Sequence, residues 1–178
     1  MKQPDGATDT AVAAKCDLAS EALREFGSLR FAATGWSMLP SIWPGETLVV
    51  ERASNDKDDD KNKNKDQLRV GDIVLIGRYG RLCAHRIVAV PDSSEDPRWI
   101  TQGDAQSAPD PPVAASDLLG RVTQVIRRGK LIALAPELSA IETLIAKVVR
   151  RSLPAARALI YLNRLRQTSE TSVLPCQG

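Results

Sequence analysis

The residues of this chain that could carry out catalysis are a serine, the only histidine and two aspartates. Ser37 lies between Gly35 and Pro40, which keep the backbone out of regular structure and leave the hydroxyl exposed. His85 lies in an apolar, β-branched stretch that is typical of a strand. A serine hydroxyl, an imidazole and a carboxylate are the parts of an activated nucleophile. The chain could therefore perform acyl transfer if its fold brings them together.

The candidate for the general base is His85. A neutral imidazole can accept a serine proton near neutral pH. A lysine base, as in Ser-Lys hydrolases, is the alternative, but no lysine occurs between residues 67 and 129. Lys65 belongs to a low-complexity run and Lys130 opens a late strand. If the nucleophile is activated within the β-rich region, the base is therefore the histidine.

Two aspartates downstream could orient the histidine. Asp104 directly follows Gly103 at the end of a predicted strand, and Asp110 precedes two prolines. Either carboxylate could accept a hydrogen bond from the second ring nitrogen of His85. Gly-Asp and Asp-Pro are also common in turns that have no catalytic part. The sequence leaves the choice between the two aspartates open.

Composition limits the remaining possibilities. The chain has 178 residues, enough for one domain with appendages. Its formal net charge of +2 is too balanced to indicate a nucleic-acid partner. The three cysteines are far apart, and with a single histidine they provide no metal-ligand spacing. We expect no disulfide framework, no metal and no other cofactor.

The chain carries no evident targeting or membrane-spanning segment. Residues 1–9 are polar and lack the plan of a secretory signal. The longest uncharged stretch, Phe31–Gly45, contains two prolines and two glycines and would not span a bilayer. We therefore expect a cytoplasmic or peripheral membrane protein.

Short β-prone runs alternate with turn residues from Leu29 to Leu134. No glycine-rich phosphate loop and no regular strand–helix alternation interrupts them, which favours a mainly β, mostly antiparallel fold. A hairpin turn is predicted at residues 78–80. The predicted strands are Thr47–Glu51, Asp72–Gly77, Arg81–Val90, Arg98–Gln102, Gly120–Arg127 and Leu131–Leu134.

Helical patterns flank the β-rich region. The N-terminal helix is predicted from about Thr10 to Phe26, with Gly27 as its stop. Its expected apolar face consists of Leu18, Ala22, Leu23 and Phe26. After Ala135 an apolar face repeats at helical spacing, is broken at Pro154 and then resumes. The apolar positions of this second region are Ile141, Leu144, Ile145, Val148, Leu159, Leu162 and Leu165.

The C-terminal helical region is basic. Its polar positions include Lys147, Arg150, Arg151, Arg157, Arg164 and Arg166. A basic amphipathic helix can lie on an anionic membrane, or it can pack on its own β domain, and both interpretations remain open.

The predicted organisation has four parts. An N-terminal tail and short helix occupy residues 1–28, and a β-rich domain occupies residues 29–134. A low-complexity insertion at residues 53–67 interrupts that domain and cannot contribute to its core. The basic helical extension covers residues 135–168 and a tail covers residues 169–178.

Six short segments stand out in chain order: Gly35–Ser41, Pro44–Glu46, Val70–Val74, Ala84–Val88, Thr101–Asp104 and Leu119–Val122. Together they resemble the signal peptidase I family, which shares a β-ribbon catalytic fold with the LexA-type self-cleaving repressors. The resemblance covers about residues 31–127 and implies that fold, with a short N-terminal helix and a C-terminal helical extension. Histidine before the arginine of the base segment is similar to the endoplasmic-reticulum, archaeal and sporulation branch.

The resemblance also implies roles for the site residues. Ser37 would attack a peptide carbonyl and His85 would be the general base, with Asp104 or Asp110 as its partner. The backbone N–H of Ser37 would donate to the oxyanion.

In the same segment, Gly35 stands where many family members have a serine that provides a second oxyanion donor. Met38 and Pro40 would contact the substrate. The usual threonine after the proline is replaced by Ser41, a mild change.

The implied function is a serine endopeptidase that cleaves signal or leader-like peptides, or pre-proteins, after small residues. The family's usual membrane anchor is not evident in residues 1–30, whereas the basic helices or Trp36 and Trp43 could contact a membrane surface. One alternative is a self-cleaving LexA-like regulator, although neither Ala-Gly nor Cys-Gly occurs in the chain. The other is a non-catalytic peptide-binding module on the same fold.

Overall fold

A computed structural model describes residues 6–52, 68–78, 80–91 and 97–171. The predicted insertion at 53–67, the middle residue of the predicted hairpin turn at 78–80 and most of the C-terminal tail lie outside the described residues. The helices are α1 (Gly6–Phe26), α2 (Ala140–Arg151) and α3 (Leu153–Thr171), with a short 3-10 turn at Ala115–Asp117. The strands are β1 (Ser28–Ala32), β2 (Thr47–Arg52), β3 (Ile73–Arg78), β4 (Arg81–Ala89), β5 (Arg98–Gln102), β6 (Val113–Ala114), β7 (Leu118–Arg127) and β8 (Lys130–Ala133).

The strands form one antiparallel sheet in the order β1-β2-β7-β3-β4-β5-β6, and β8 pairs with β7. This confirms the mainly β, antiparallel prediction. All six predicted strands are present, with ends within two residues of those expected. The sequence reading missed β1, an edge strand whose burial alternates, and β6, which is only two residues long.

Two apolar clusters form the core that packs against the sheet. The first contains Leu23 of α1 together with residues of the segment around Ser37, called the serine segment, and of strands β2, β3 and β7: Met38, Ile42, Leu48, Val50, Ile73, Leu75, Val122 and Val125. The second lies under β3, β4 and β5 and contains Leu68, Val74, Ile76, Ile87, Trp99 and Val113. The serine segment is thus anchored in the main core by its own apolar residues.

Helix α1 packs on the sheet with a different face from the one predicted. Leu23 is buried and Ala22 is half-buried, but Leu18 and Phe26 are exposed. The packing stripe runs through the half-buried Cys16 and the buried Ala19 and Leu23, and its two small side chains let the helix approach the strands closely. Gly27 ends the helix as predicted, in the left-handed conformation with its N–H bonded to the carbonyl of Leu23.

Helix α2 begins at a well-defined cap, and α3 follows it after a break. Ser139 and Glu142 form a reciprocal capping box at the start of α2, and these hydrogen bonds lower the pKa of Glu142. The predicted break at Pro154 is a change of helix, because α2 ends at Arg151 and Pro154 lies in the first turn of α3.

Helices α2 and α3 pack beside the serine segment. Val149 and Ala156 are buried against Leu39 and Ala105. Of the predicted apolar positions of α2, Ile145 is half-buried, whereas Ile141, Leu144 and Val148 face solvent, so most of the apolar face does not pack on the domain. Among the described residues no helix is long and apolar enough to cross a bilayer.

Candidate active site

Ser37 lies in a tight turn between β1 and β2. The N–H of Leu39 bonds to the carbonyl of Trp36, and that of Ile42 bonds to the carbonyl of Met38. Leu39 and Ile42 are almost fully buried and hold the turn against two core clusters. Ser37 itself is half-buried and reaches the surface. The turn therefore presents a hydroxyl from a rigid base.

The turn places Ser37 next to His85 of β4 and Asp110 of the loop after β5. The distance from Ser37 Oγ to His85 Nε2 is 3.0 Å. The distance from His85 Nδ1 to Asp110 Oδ2 is 2.6 Å. The three side chains form a continuous hydrogen-bonded chain, although 48 residues separate the serine from the histidine.

The carboxylate fixes the proton positions in this chain. An ionised aspartate only accepts hydrogen bonds, so Nδ1 of His85 carries the proton and Nε2 presents its lone pair to the hydroxyl of Ser37. Burial tends to raise the pKa of Asp110, but hydrogen bonds from His85 and Thr101, with the charges of His85 and Arg78, lower it overall. Asp110 therefore stays ionised at neutral pH.

Asp110 is itself held in place. The hydroxyl of Thr101 donates to Asp110 Oδ2 at 2.7 Å, and the N–H of Asp110 donates to the carbonyl of Thr101 at 2.8 Å. Thr101 lies in one of the segments that resemble the family, but its role was not predicted from the sequence. Its signal is position: Thr101 lies on β5 opposite Ile87, two residues from the histidine.

Asp104, the other candidate partner of the histidine, lies elsewhere. Its carboxylate accepts hydrogen bonds from Nε and Nη2 of Arg86, each at 2.9 Å, and from the hydroxyl of Ser41. His85 and Arg86 are consecutive in a strand and point to opposite faces, so one aspartate cannot serve both. Of the two alternatives, only Asp110 contacts His85.

Arg86 connects the site to the rest of the molecule. Its Nη1 donates to the carbonyls of Gly71, Ala135 and Pro136, and its Nη2 donates to Ser41 Oγ. This buried guanidinium joins the serine segment, the loop after β5 and the start of the helical extension. The sequence analysis missed this role, although a cation inside a core strand needs a buried acid as partner.

Of the predicted substrate contacts, Met38 is almost fully buried in the main core, yet it also lines a cleft beside Ser37. Pro40 is buried and follows a cis peptide bond, and it is not among the residues that line this cleft. Gly35 is exposed and lines the cleft. Among the hydrogen bonds of the described residues, none uses the Ser37 N–H as donor, while the Ser37 carbonyl accepts from Ala105.

The cleft beside Ser37 has a volume of about 140 Å³. Its walls come from the end of β1, the serine turn and the first half of β4, and they are mostly aliphatic. Phe31, Ala33, Leu82, Cys83 and Ala84 line it together with the serine. This space suits a small apolar group next to the hydroxyl.

The structure offers little support for a second nucleophile or a metal site near Ser37. Burial and the charge of Asp110 raise the pKa of the Cys83 thiol to about 11, so it is neutral and a poor nucleophile at physiological pH. Within the part of the chain that the structure describes, no three His, Cys, Asp or Glu side chains are grouped as metal ligands.

The lowered pKa of Asp110 predicts a pH dependence of stability. The ionised carboxylate stabilises the fold above its unfolded pKa of about 4, and this contribution disappears as the pH falls through the lower folded pKa. We expect wild type to be more stable than Asp110→Asn by about 1.5 kcal/mol at neutral pH, and this difference to shrink below pH about 4. Urea unfolding at a series of pH values measures it, and a difference that stays constant into strong acid would contradict the assignment.

Comparison of the chain with protein-family models, with curated proteins and with solved structures gives no match. The function is therefore inferred from the geometry above together with the resemblance of the sequence segments.

Proposed function

We propose that the protein is a serine hydrolase in which Ser37 is the nucleophile, His85 the general base and Asp110 the residue that orients the base. The observation that carries this proposal is the continuous chain Ser37–His85–Asp110 beside an open cleft. More narrowly, we propose a signal-peptidase-type endopeptidase with a LexA-like β-ribbon fold. The resemblance of the ordered segments and the antiparallel sheet that carries them support this narrower proposal.

The proposed reaction follows from the proton positions. Ser37 Oγ attacks the peptide carbonyl as its proton passes to His85 Nε2, and the Ser37 N–H donates to the oxyanion that forms. The tetrahedral intermediate collapses, the C–N bond breaks, and His85 returns the proton to the leaving amine. Water then attacks the acyl-enzyme through the same base, which releases the acid and restores the serine.

The open edge of β4 supports a peptide as the substrate. Residues 81–85 of β4 pair with β3 on one side, but pairing with β5 begins only at Arg86. The second edge of this stretch therefore has no strand partner among the described residues, and it borders the cleft next to Ser37. An extended peptide could add there as a strand, with its carbonyl at the hydroxyl. The small aliphatic cleft favours a small side chain before the scissile bond.

Purified full-length protein incubated with a library of extended peptides, followed by mass spectrometry, tests the proposal. We expect cleavage after small residues, loss of cleavage in Ser37→Ala, and labelling of Ser37 by a serine-reactive acylating probe. Ser28→Ala, an exposed serine of β1, is the matched control and should retain cleavage. Equal cleavage by wild type and Ser37→Ala would overturn the proposal.

The same experiment separates the two alternative functions. A non-catalytic binding module would retain peptides in wild type and in Ser37→Ala without cutting them. A self-cleaving regulator would lose intact mass on prolonged incubation without added substrate, and Ser37→Ala would not. Neither alternative has an observation in its favour comparable to the open cleft at an aligned hydroxyl.

Close packing against the serine turn predicts a strong effect at Gly103. A Cβ at this position would lie 2.7 Å from the Ser37 carbonyl oxygen and 3.0 Å from the Ser37 Cβ. We expect Gly103→Ala to displace the nucleophile and to lower kcat about 100-fold with a small change in KM, since a shift of about 1 Å misaligns the attack. Steady-state kinetics on a cleaved peptide measures this.

A control separates this displacement from general loss of stability. Gly27→Ala strains a left-handed residue between α1 and β1 that does not line the cleft, and it leaves space around the new methyl group. It should lower the melting temperature while kcat is retained. A Gly103→Ala variant with normal kcat would show that the serine turn tolerates the displacement.

A further inference from the structure

Helix α2 presents an apolar face to solvent. Ile141, Leu144 and Val148 are 73%, 63% and 44% exposed. They follow each other at i, i+3 and i+7, so they form one stripe along the helix. The opposite side of α2, with Ala146 and Val149, is buried against the protein. The exposed stripe is therefore not needed to attach the helix to its own domain.

Basic residues border this stripe. At 100° per residue, Lys147 and Arg151 lie along one side of it, and the five residues together cover roughly a third of the helix circumference. We call these five residues the α2 face. Glu142, the single acid of α2, lies on the opposite side and is bonded to Ser139. Residues 140–166 contain six basic residues and one acidic residue in all.

We propose that the α2 face docks on an anionic lipid bilayer, with α2 in the plane of the interface. Three large apolar side chains on one stripe can enter the boundary between headgroups and acyl chains while the cations beside them meet anionic headgroups. Helix α3 exposes Tyr161 and Leu162 as well, so apolar exposure continues along the extension.

Charge argues against a second copy of the chain as the occupant. A two-fold contact through the α2 face would bring Lys147 and Arg151 of both copies together, without an acid on the face to offset them. An anionic bilayer supplies the charge that is missing from the protein. The inference rests on exposed residues of the C-terminal helices and does not depend on the proposed peptidase activity.

Sedimentation of the full-length protein with lipid vesicles tests the proposal. We expect binding to vesicles of phosphatidylcholine mixed with phosphatidylserine, little binding to phosphatidylcholine alone, and weaker binding as salt rises. The double variant Lys147→Gln/Arg151→Gln should lower the partition coefficient roughly 25-fold, since each basic residue near the surface contributes about a factor of five. Leu144→Gln/Val148→Gln should lower it at least about tenfold.

Controls come from α1, which packs on a different cluster. Leu18→Gln and Lys15→Gln change an exposed leucine and an exposed lysine there and should leave vesicle binding unchanged. All these positions are exposed, so circular dichroism should report folded variants with melting temperatures close to that of wild type. Cleavage of a soluble peptide should also be unaffected, which separates this test from that of the peptidase.

Three outcomes would overturn the inference. Equal binding to neutral and anionic vesicles would remove the attraction to anionic headgroups, and binding that survives both double variants would remove the α2 face from the interaction. A dimer in sedimentation equilibrium without lipid that dissociates in Leu144→Gln/Val148→Gln would assign the face to a second copy instead.

Discussion

Replacement of Ser37 by alanine is expected to lower kcat on a cleaved peptide by about six orders of magnitude, the loss seen when a nucleophile and its base act as one unit. The hydroxyl is half-buried and its hydrogen bond at the site is to His85 Nε2, so its removal should leave the melting temperature nearly unchanged. Steady-state and single-turnover kinetics measure the loss, and circular dichroism checks the fold.

The same reasoning predicts the behaviour of the base. His85→Ala should lose about as much activity as Ser37→Ala, and the double variant should lose hardly more than either, because neither residue activates a substrate alone. Losses that multiply in the double variant would mean that the two side chains act independently. That result would contradict the joint action of Ser37 and His85 even if the loss of activity in each single variant were large.

The strands could be predicted from sequence because their signal is local. Alternating or continuous β-branched runs between turn residues predicted six strands, including the one that carries the histidine. Strand β1 was not predicted because its five residues directly follow the end of a helix and form an edge strand with exposed alternate positions. Periodicity cannot separate such a strand from an extended loop.

The helix faces could not be predicted because the apolar stripe of a helix is not always its packing stripe. In α2 the apolar stripe consists of Ile141, Leu144 and Val148, whereas the helix packs through Ala146 and Val149. Small residues permit a close approach to the serine turn that the larger ones would prevent. Which stripe is buried depends on the shape of the surface that receives it.

The partner of the histidine was also beyond the sequence. Asp104 and Asp110 follow the same strand, and Gly-Asp and Asp-Pro are both common in turns, so the sequence alone does not distinguish them. The choice depends on which face of β4 each loop segment reaches, and on Arg86, whose charge inside the core requires a buried acid. Once Arg86 occupies Asp104, only Asp110 remains for His85.

Because Asp104 pairs with Arg86 and Asp110 pairs with His85, the same isosteric substitution should have opposite effects at the two aspartates. Asp110→Asn should lower kcat by about 10⁴, because an amide can hold the ring in the wrong tautomer and cannot stabilise the imidazolium that forms during the reaction. Its effect on stability, about 1.5 kcal/mol, should be small beside this loss, since the side chain of Asp110 is partly exposed. The pH dependence of the residual kcat should also change, because no negative charge then lies beside the ring of His85.

Asp104→Asn should do the reverse. The substitution leaves the guanidinium of Arg86 buried without its counter-charge and should lower the free energy of unfolding by about 3 kcal/mol, while kcat per folded molecule stays within about tenfold of wild type. Urea denaturation and active-site titration of the two variants, measured side by side, separate the effects. If Asp104→Asn lost activity as severely as Asp110→Asn while remaining stable, Asp104 would have a catalytic role of its own. The assignment of Asp110 as the one carboxylate that supports His85 would then have to be abandoned.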